Sequence, residues 1–156
     1  MKGNDKVIAA LNEALQEELR AISQYFIHAE MCENWKYEAL SKFIKKQSID
    51  EMKHAEKLIE RILFLDATPN LLGPTQLTIG KSVKEQFASD LKLEEGAVAM
   101  YNKFTLLARE NGDNVSSDLF KTLLHDEEEH VDWLEAQLHL IEEIGYERYL
   151  GQHLEK

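Results

Sequence analysis

The chain has 156 residues, of which 44% are hydrophobic and 30% are charged. This length suits one domain with a substantial core, and the composition excludes both intrinsic disorder and a membrane-spanning helix. The formal net charge of −11 argues against nucleic acid as a partner, because phosphate binding requires clustered Lys and Arg. The negative charge fits either a soluble surface or one that attracts cations, and composition does not choose between the two.

The beginning of the chain and its cysteine content bear on its location. Residues 1–6 lack the apolar segment of a signal peptide, and Cys32, the only cysteine, cannot form an intrachain disulfide. We therefore expect a cytoplasmic protein without a membrane partner, in which Cys32 is an unreactive thiol near a helix end. The expected organisation is a single domain over residues 1–156, with a helical bundle at about 5–144.

Four segments have the periodicity of amphipathic α-helices, and none alternates as a β-strand does. Their apolar stripes run from Leu11 to Ala29, from Leu40 to Leu65, from Val83 to Ala108 and from Leu119 to Ile141. Each stripe is apolar except near its middle, where acidic and histidine side chains interrupt it. The pattern predicts four long helices with ligand-type side chains facing the interior of one bundle.

The breaks between these helices define the connections. The longest break, between Leu65 and Ser82, contains both prolines of the chain and two of its glycines: Pro69, Gly73, Pro74 and Gly80. The breaks at residues 32–37 and 111–114 are short. Two antiparallel hairpins joined by a long crossover between helices 2 and 3 make an all-α, ferritin-like four-helix bundle. Gly145 is expected to end the fourth helix, and residues 146–154 to form a short C-terminal fifth helix.

Six ligand-type side chains occupy the middles of the stripes and form three pairs, each separated by 76 positions. The pairs are Glu18 with Glu94, Glu51 with Glu127, and His54 with His130. A helix places residues i and i+3 on one face, so the glutamate and histidine of each Glu-x-x-His string can bind one metal ion. The constant separation predicts two helix pairs that place their ligands alike.

The chemistry of these six side chains favours two metal ions. Four carboxylates carry a charge of −4, neutral imidazoles carry none, and two divalent cations restore neutrality. Oxygen and nitrogen ligands without a thiolate suit iron or manganese better than structural zinc. The alternative without metal is a buried network of protonated acids and histidines, which would be hard to satisfy with hydrogen bonds. We predict a dinuclear site with the ligand set described for ferritin-like di-iron bundles.

Several local strings of the chain are distinctive: Met-Lys-Gly at 1–3, Ser-Ile-Asp-Glu-Met-Lys-His-Ala at 48–55, Ile-Glu-Arg-Ile-Leu-Phe-Leu at 59–65, Pro-Asn-Leu at 69–71, Asp-Glu-Glu at 126–128 and Trp-Leu-Glu at 133–135. Together these strings resemble the bacterioferritin family. The resemblance covers essentially the whole chain and implies a hollow cage of 24 subunits built from twofold dimers. It also implies a ferroxidase centre that oxidises Fe(II) with dioxygen or hydrogen peroxide, and storage of the ferric mineral inside the cage.

The resemblance assigns roles to individual residues. It implies two iron ions in each subunit, with Glu18 and Glu94 as terminal ligands, Glu51 and Glu127 as bridges, and His54 and His130 binding one iron each. Tyr25 matches the tyrosine beside the centre, which donates a hydrogen bond or an electron. The alternative for Tyr25 is an ordinary core tyrosine with its hydroxyl group hydrogen-bonded. Tyr101, which matches Tyr25 in the repeat, is expected to serve packing alone.

Met52 is the residue that breaks the repeat, because its counterpart 76 positions later is Glu128. By sequence alone it would be a flexible core or interface residue. One residue from Glu51, it points about 100° away from the bundle interior, towards a neighbour. The resemblance implies that Met52 ligates haem b, shared between two subunits whose methionines bind opposite faces of the iron.

Some positions depart from the family pattern or match nothing in it. Some bacterioferritins bind a further iron on the cavity wall through a histidine and an aspartate; here Asp50 is present, but position 46 is Lys46. A small ferredoxin is the family's electron donor for iron release, and Thr68 and Lys81 lie near its expected docking surface. The remaining histidines have no partner at a suitable spacing and are expected to be surface or packing residues: His28, His125, His139 and His153.

Two alternatives to an iron-storing ferroxidase remain open. The first is a ferritin-like di-iron peroxidase or oxygenase without a storage role. Against it are the absence of a Cys-x-x-Cys string and of the length needed for a substrate domain. The second is a haem-binding bundle without enzymatic activity, in which the acidic core is merely structural.

Overall fold

The computed structural model describes residues 1–71 and 76–154. Within these residues the chain forms five α-helices and no β-strand: α1 (Asp5–Asn34), α2 (Glu38–Phe64), α3 (Val83–Glu110), α4 (Asn114–Ile144) and α5 (Tyr146–Gly151). None of the helices among the described residues is both long and apolar enough to cross a membrane. The predicted all-α class with four long helices is confirmed.

Three of the four long helices begin at a residue whose side chain caps them, and α4 ends at a residue suited to that position. The side chains of Asn4, Ser82 and Asp113 accept hydrogen bonds from backbone N–H groups in the first turns of α1, α3 and α4. Gly145 follows α4 with a φ of 91°, a backbone conformation that favours glycine. The predicted end of the fourth helix at Gly145 is therefore confirmed.

The fifth helix is shorter than predicted, because it ends at Gly151 and not at residue 154. The backbone N–H groups of Gln152 and His153 donate to carbonyl oxygens three residues earlier. Such bonds form a tight turn and do not continue the α-helix. Glycine at position 151 also favours the end of a helix, so the prediction overestimated the length of α5 by three residues.

The first two helices pack along each other as an antiparallel hairpin, and α3 and α4 form the second hairpin. In the first hairpin, Ser41 Oγ donates to Ala29 O and Ser48 Oγ donates to Ile22 O, each at 2.8 Å. The residue numbers rise along α2 as they fall along α1, which is the register of antiparallel neighbours. This register brings the middle of α1, around Glu18, beside the middle of α2, around Glu51.

The described parts of the crossover between α2 and α3 contact α1 at two well-separated places. Near its beginning, Asn70 N donates to Asn12 Oδ1 at 2.6 Å, and near its end Gly80 N donates to His28 Nε2 at 3.1 Å. Helix α3 therefore begins beside the end of α1, which confirms the predicted long crossover. Residues 72–75 of the predicted crossover, which include Gly73 and Pro74, lie outside the described residues.

A buried polar cluster holds the end of the crossover in place. His28 Nδ1 lies 3.0 Å from Asp90 Oδ1, and Gln24 Nε2 donates to the same oxygen at 2.8 Å. A Cβ atom on Gly80 would lie 2.3 Å from the backbone nitrogen of Gln86, so only glycine allows this close approach. His28 is buried, as expected of a packing histidine, and its partner Asp90 is 62 positions away, so no sequence spacing indicated this pair.

The apolar core consists of two clusters separated along the bundle. One contains Leu15, Ala55, Tyr101 and Leu123 among its members, and the other contains residues at the opposite end of the same helices. The ligand-type residues lie in the sequence intervals between these clusters. Each large apolar side chain buried in these clusters stabilises the fold by about 1.5–3 kcal/mol. This stabilisation offsets the cost of burying the polar layer between the clusters.

Candidate metal centre

The six ligand-type side chains converge in the middle of the four-helix bundle. Each comes from the interior face of a long helix, and all six are buried or nearly so: Glu18 from α1, Glu51 and His54 from α2, Glu94 from α3, and Glu127 and His130 from α4. The side chains of Glu51 and Glu94 have no exposed surface. Carboxylates are rarely buried so completely unless a cation or a hydrogen-bond donor balances them.

The six side chains form two overlapping groups, each able to bind a metal ion. The first group consists of Glu18, Glu51, His54 and Glu127, and the second of Glu51, Glu94, Glu127 and His130. Within each group the ligand atoms lie within 4.8 Å of one another. Glu51 and Glu127 belong to both groups, whereas the other four side chains each belong to one.

Each histidine directs one ring nitrogen into the cluster. His54 Nδ1 lies 3.1 Å from Glu51 Oε1 and 3.4 Å from Glu18 Oε2. His130 Nδ1 lies 3.1 Å from Glu94 Oε2 and 3.3 Å from Glu127 Oε1. Since both imidazoles present the same nitrogen to neighbouring carboxylates, the two halves of the cluster repeat each other, as the separation of 76 positions predicts.

The carboxylate oxygens of the cluster are poorly satisfied by the protein itself. Both oxygens of Glu51 and one oxygen each of Glu18, Glu94 and Glu127 are buried and make no hydrogen bond among the described residues. Two of these oxygens, Glu51 Oε1 and Glu127 Oε1, have only an ion-pair contact with a histidine Nδ1. An unsatisfied buried acceptor costs about 1–3 kcal/mol, and more when it is charged. Five such oxygens facing one another are what two hard divalent cations would neutralise, so the residues fit a dinuclear site.

Burial raises the pKa values of three glutamates in the cluster. Burial raises the pKa of Glu94 to about 8, and repulsion from Glu127 contributes in the same direction. Burial and the neighbouring carboxylates also raise the pKa of Glu18 and, more strongly, of Glu51. Without a cation, part of the cluster therefore holds protons at neutral pH.

The pKa values of the two histidines are also raised, although burial acts on them in the lowering direction. Burial alone would lower the pKa of His54, but hydrogen bonding and attraction to Glu18 outweigh it and raise the pKa to about 9. For His130, Glu127 and Glu94 likewise outweigh burial and raise the pKa to about 10. A metal ion must displace protons from this cluster when it binds, so its affinity will increase with pH.

Tyr101 makes a polar contact that the sequence did not predict. It is fully buried, but its hydroxyl group donates a short hydrogen bond to Glu18 Oε2, so it does not serve packing alone. Its 83-position separation from Glu18 left no local pattern to detect; only the repeat with Tyr25 hinted at a polar role. Tyr25 is also fully buried near the cluster, and its hydroxyl group has no hydrogen-bond partner among the described residues.

The two tyrosines should respond differently to removal of the hydroxyl group. Tyr101→Phe removes the donor that holds Glu18, so we expect the affinity for Co(II) to fall by about 10–100-fold. Tyr25→Phe breaks no bond to a ligand side chain and should leave this affinity unchanged. Anaerobic Co(II) titration of both variants tests this expectation, which equal affinities in Tyr101→Phe and the wild type would contradict.

Met52 lies on α2 immediately after Glu51 but faces away from the cluster. Its side chain is 45% exposed, as is that of Ile49 one turn earlier, whereas Glu51 is completely buried. Residues i and i+3 share a helix face, so Ile49 and Met52 form an apolar surface on the outside of this chain. A thioether at such a surface is accessible to a group bound between this chain and a neighbour.

A cavity of about 270 Å³ opens beside the two histidines. Its lining is polar and consists of Asp50, Lys53, His54, Lys57, Asp126, Glu129 and His130. Asp50, which the resemblance matched to an aspartate of a cavity-wall iron site, lines this cavity, whereas Lys46 does not. At position 46 the chain therefore offers an exposed positive charge where that site requires a ligand.

The fold and the cluster together define a ferritin-like metal protein: a four-helix bundle with a long crossover and a carboxylate–histidine centre in its interior. The ferritin-like domain family matches residues 8–144. By sequence, the chain is 48% identical over 149 residues to a bacterioferritin of Brucella melitensis, covering 96% of this chain and 92% of that one. The chain belongs to the bacterioferritin family, as its local strings predicted.

Further comparisons agree in both sequence and structure. A bacterioferritin of Mycolicibacterium paratuberculosis is 41% identical over 152 residues, covering 97% of this chain and 96% of that one. A solved structure of a mycobacterial bacterioferritin superimposes with a TM-score of 0.96 at 39% identity, covering 98% of this chain and 95% of the other. This similarity confirms the predicted ferritin-like fold.

Proposed function

We propose that the chain is a ferroxidase that oxidises Fe(II) and stores the ferric product as a mineral. The observation that supports this proposal is the pair of overlapping four-residue groups, with five buried carboxylate oxygens that no donor among the described residues satisfies. Glu18 and Glu94 would each bind one iron, Glu51 and Glu127 would contact both, and His54 and His130 would each complete one group. These are the roles that the family resemblance implies.

The protein's contribution to the reaction is positioning and charge compensation. Oxidation of two Fe(II) ions supplies two electrons, which with two protons convert dioxygen to hydrogen peroxide, or hydrogen peroxide to two water molecules. The carboxylates and imidazoles hold the two substrate ions side by side and release protons as the ions bind. Tyr25, which is buried beside the cluster, would donate a hydrogen bond or an electron there.

We further propose an assembly and an electron-donating partner for this chain. The single domain of residues 1–156 would form twofold dimers, and these a 24-subunit cage in the cytoplasm. The oxidised iron would leave the bundle for the interior of this cage. A small ferredoxin would return electrons for iron release, and Thr68 and Lys81 near its expected docking surface are both exposed.

Iron retention separates storage from the alternative of a di-iron peroxidase or oxygenase. Purified protein is incubated with excess Fe(II) in air, passed through a size-exclusion column, and assayed for protein and iron in the same fractions. Storage predicts a large assembly that retains far more iron than two ions per chain. Continued turnover with no retained iron beyond the cluster would contradict storage and favour the alternative.

Haem b is the second group that the proposal assigns, shared between two subunits through Met52. The exposed thioether beside Ile49 fits this role, since sulfur is a suitable axial ligand for haem iron and apolar side chains favour the ring. When bound, haem would supply a one-electron carrier. Met52 would hold it at the twofold contact, together with the same methionine of a second copy.

Replacement of Met52 tests the haem assignment separately from the metal centre. We expect Met52→Leu, which keeps the apolar volume but removes the sulfur, to lose the haem absorption bands of the wild type while Fe(II) oxidation persists. Met31→Leu is the matched control, because Met31 lies at the far end of α1. Unchanged haem absorption in Met52→Leu would show that the methionine is not the axial ligand.

A further inference from the structure

The two ring nitrogens of His54 have different partners. Nδ1 faces the metal cluster, whereas Nε2 faces the neighbouring cavity and lies 2.9 Å from Asp126 Oδ2. A carboxylate oxygen accepts hydrogen bonds, so Nε2 must carry a proton whether the ring is neutral or charged. In the neutral ring, this leaves the lone pair on Nδ1, directed at Glu18, Glu51 and Glu127.

The second histidine lacks an equivalent partner. His130 presents Nδ1 to Glu94, Glu127 and Glu51, but no carboxylate of the described residues lies within ion-pair distance of its Nε2. The repeat would assign this role to Asp50, 76 positions before Asp126. Asp50 lines the same cavity as both histidines but makes no ion pair with His130 within the described part of the chain.

A second residue outside the ligand-type set contacts the half of the cluster that contains His54. Glu18, which belongs only to the group with His54, accepts the hydrogen bond of Tyr101. Glu94, which belongs only to the other group, is contacted by His130 itself and by no comparable outer residue among those described. One metal position is therefore held by two residues outside the ligand set, and the other by none.

We propose that Asp126 is a positioning residue that orients His54 and makes the metal position of Glu18 and His54 the tighter of the two. This inference rests on the proposed metal centre and deepens it by ranking its two positions. A carboxylate that receives the second N–H of a metal-binding histidine holds the ring in place and increases its basicity, which is worth about 10–100-fold in metal affinity.

The surroundings of Asp126 allow this role. Its side chain is 44% exposed, so its removal leaves no buried cavity, and the fold should tolerate substitution. Lys53 and Lys57 line the same cavity, but neither makes an ion pair with Asp126 among the described residues. The hydrogen bond to His54 is thus the interaction that a substitution at Asp126 removes.

The experiment titrates metal-free protein with Co(II) under anaerobic conditions and follows the visible absorption of bound cobalt. In the wild type we expect two ions per chain with distinguishable affinities. Asp126→Ala should weaken the tighter step by about 10–100-fold and leave the weaker step unchanged. Asp126→Asn retains an oxygen acceptor and should recover most of the loss, a rescue that a merely structural role would not require.

Asp50→Ala is the matched control, because it removes the corresponding aspartate from the same cavity without breaking a bond to a histidine. It should bind Co(II) as the wild type does, and all variants should unfold at similar temperatures without metal. Wild-type affinities in Asp126→Ala, or equal losses in Asp50→Ala, would overturn the positioning role alone. A wild type that binds no Co(II) in the cluster would overturn the metal centre as well.

Discussion

Replacement of Glu94 by alanine should lower the rate of Fe(II) oxidation by more than about 100-fold. Substitution of residues that surround a metal site without binding the metal lowers metal affinity or activity by about 10–100-fold. We expect the loss of a ligand to have a larger effect. Glu94 belongs to one of the two groups, has no exposed surface, and has one oxygen without a partner. Its loss leaves Glu51, Glu127 and His130 to hold the second ion, with one negative charge fewer.

The loss should not result from unfolding. Glu94 is a buried acid whose pKa is raised to about 8, so the metal-free fold gains little from its charge. Glu94→Gln keeps the volume of the side chain, so we expect its unfolding temperature to lie at most a few degrees below that of the wild type. Its Fe(II) oxidation should still be lost. Glu95→Ala, at the exposed neighbouring position, is the matched control and should retain wild-type rates.

Stopped-flow absorbance after mixing metal-free protein with Fe(II) in aerated buffer measures these rates. The comparison decides between the ferroxidase and the haem-binding bundle with a merely structural acidic core. The structural alternative predicts equal initial rates in Glu94→Ala and Glu95→Ala. If both variants oxidise Fe(II) at the wild-type rate, the cluster is not the site of oxidation.

The second large effect concerns stability and pH in the absence of metal. The pKa of Glu94 rises from 4.5 to about 8 on folding, so its contribution to stability is present below pH 4.5 and is lost as the pH rises through about 8. The pKa values of His54 and His130 rise from 6.5 to about 9 and about 10. Their contributions are present below pH 6.5 and are lost as the pH rises through about 9–10.

All three shifts act in the same direction. Metal-free protein should become less stable between about pH 5 and pH 10, by an amount on the order of a few kcal/mol because the groups share protons and do not add independently. Bound Co(II) replaces those protons, so the increase in unfolding temperature on metal binding should grow with pH. Thermal unfolding by circular dichroism, with chelator and with Co(II), measures both trends. Stability that rises with pH in the chelated protein would contradict this account.

The elements of the bundle could be predicted because their information is local. Apolar residues recur with the helical period, and glycines and prolines interrupt it at the connections. The convergence of the six ligand-type side chains was also predictable, since an acid or histidine inside an apolar stripe is costly unless it has a partner. The separation of 76 positions added that the two halves place their ligands alike.

What could not be predicted depends on pairs that meet only in the folded chain. Tyr101 reaches Glu18 across 83 positions, and Asp126 reaches His54 across 72, with no spacing rule to indicate either contact. The 76-position repeat predicts the wrong relation here, because it makes Asp50 and Asp126 equivalent. Of these two aspartates, only Asp126 contacts a histidine among the described residues. The difference depends on side-chain orientation, which the periodicity of the sequence does not indicate.

A crystal structure of the protein loaded anaerobically with Fe(II), with anomalous data collected at the iron absorption edge, would locate the metal ions themselves. We expect two anomalous peaks in every chain, about 3.5–4 Å apart. One peak should lie among Glu18, Glu51, His54 and Glu127, and the other among Glu51, Glu94, Glu127 and His130. No peak between these side chains, with iron bound only elsewhere on the chain, would contradict the dinuclear site.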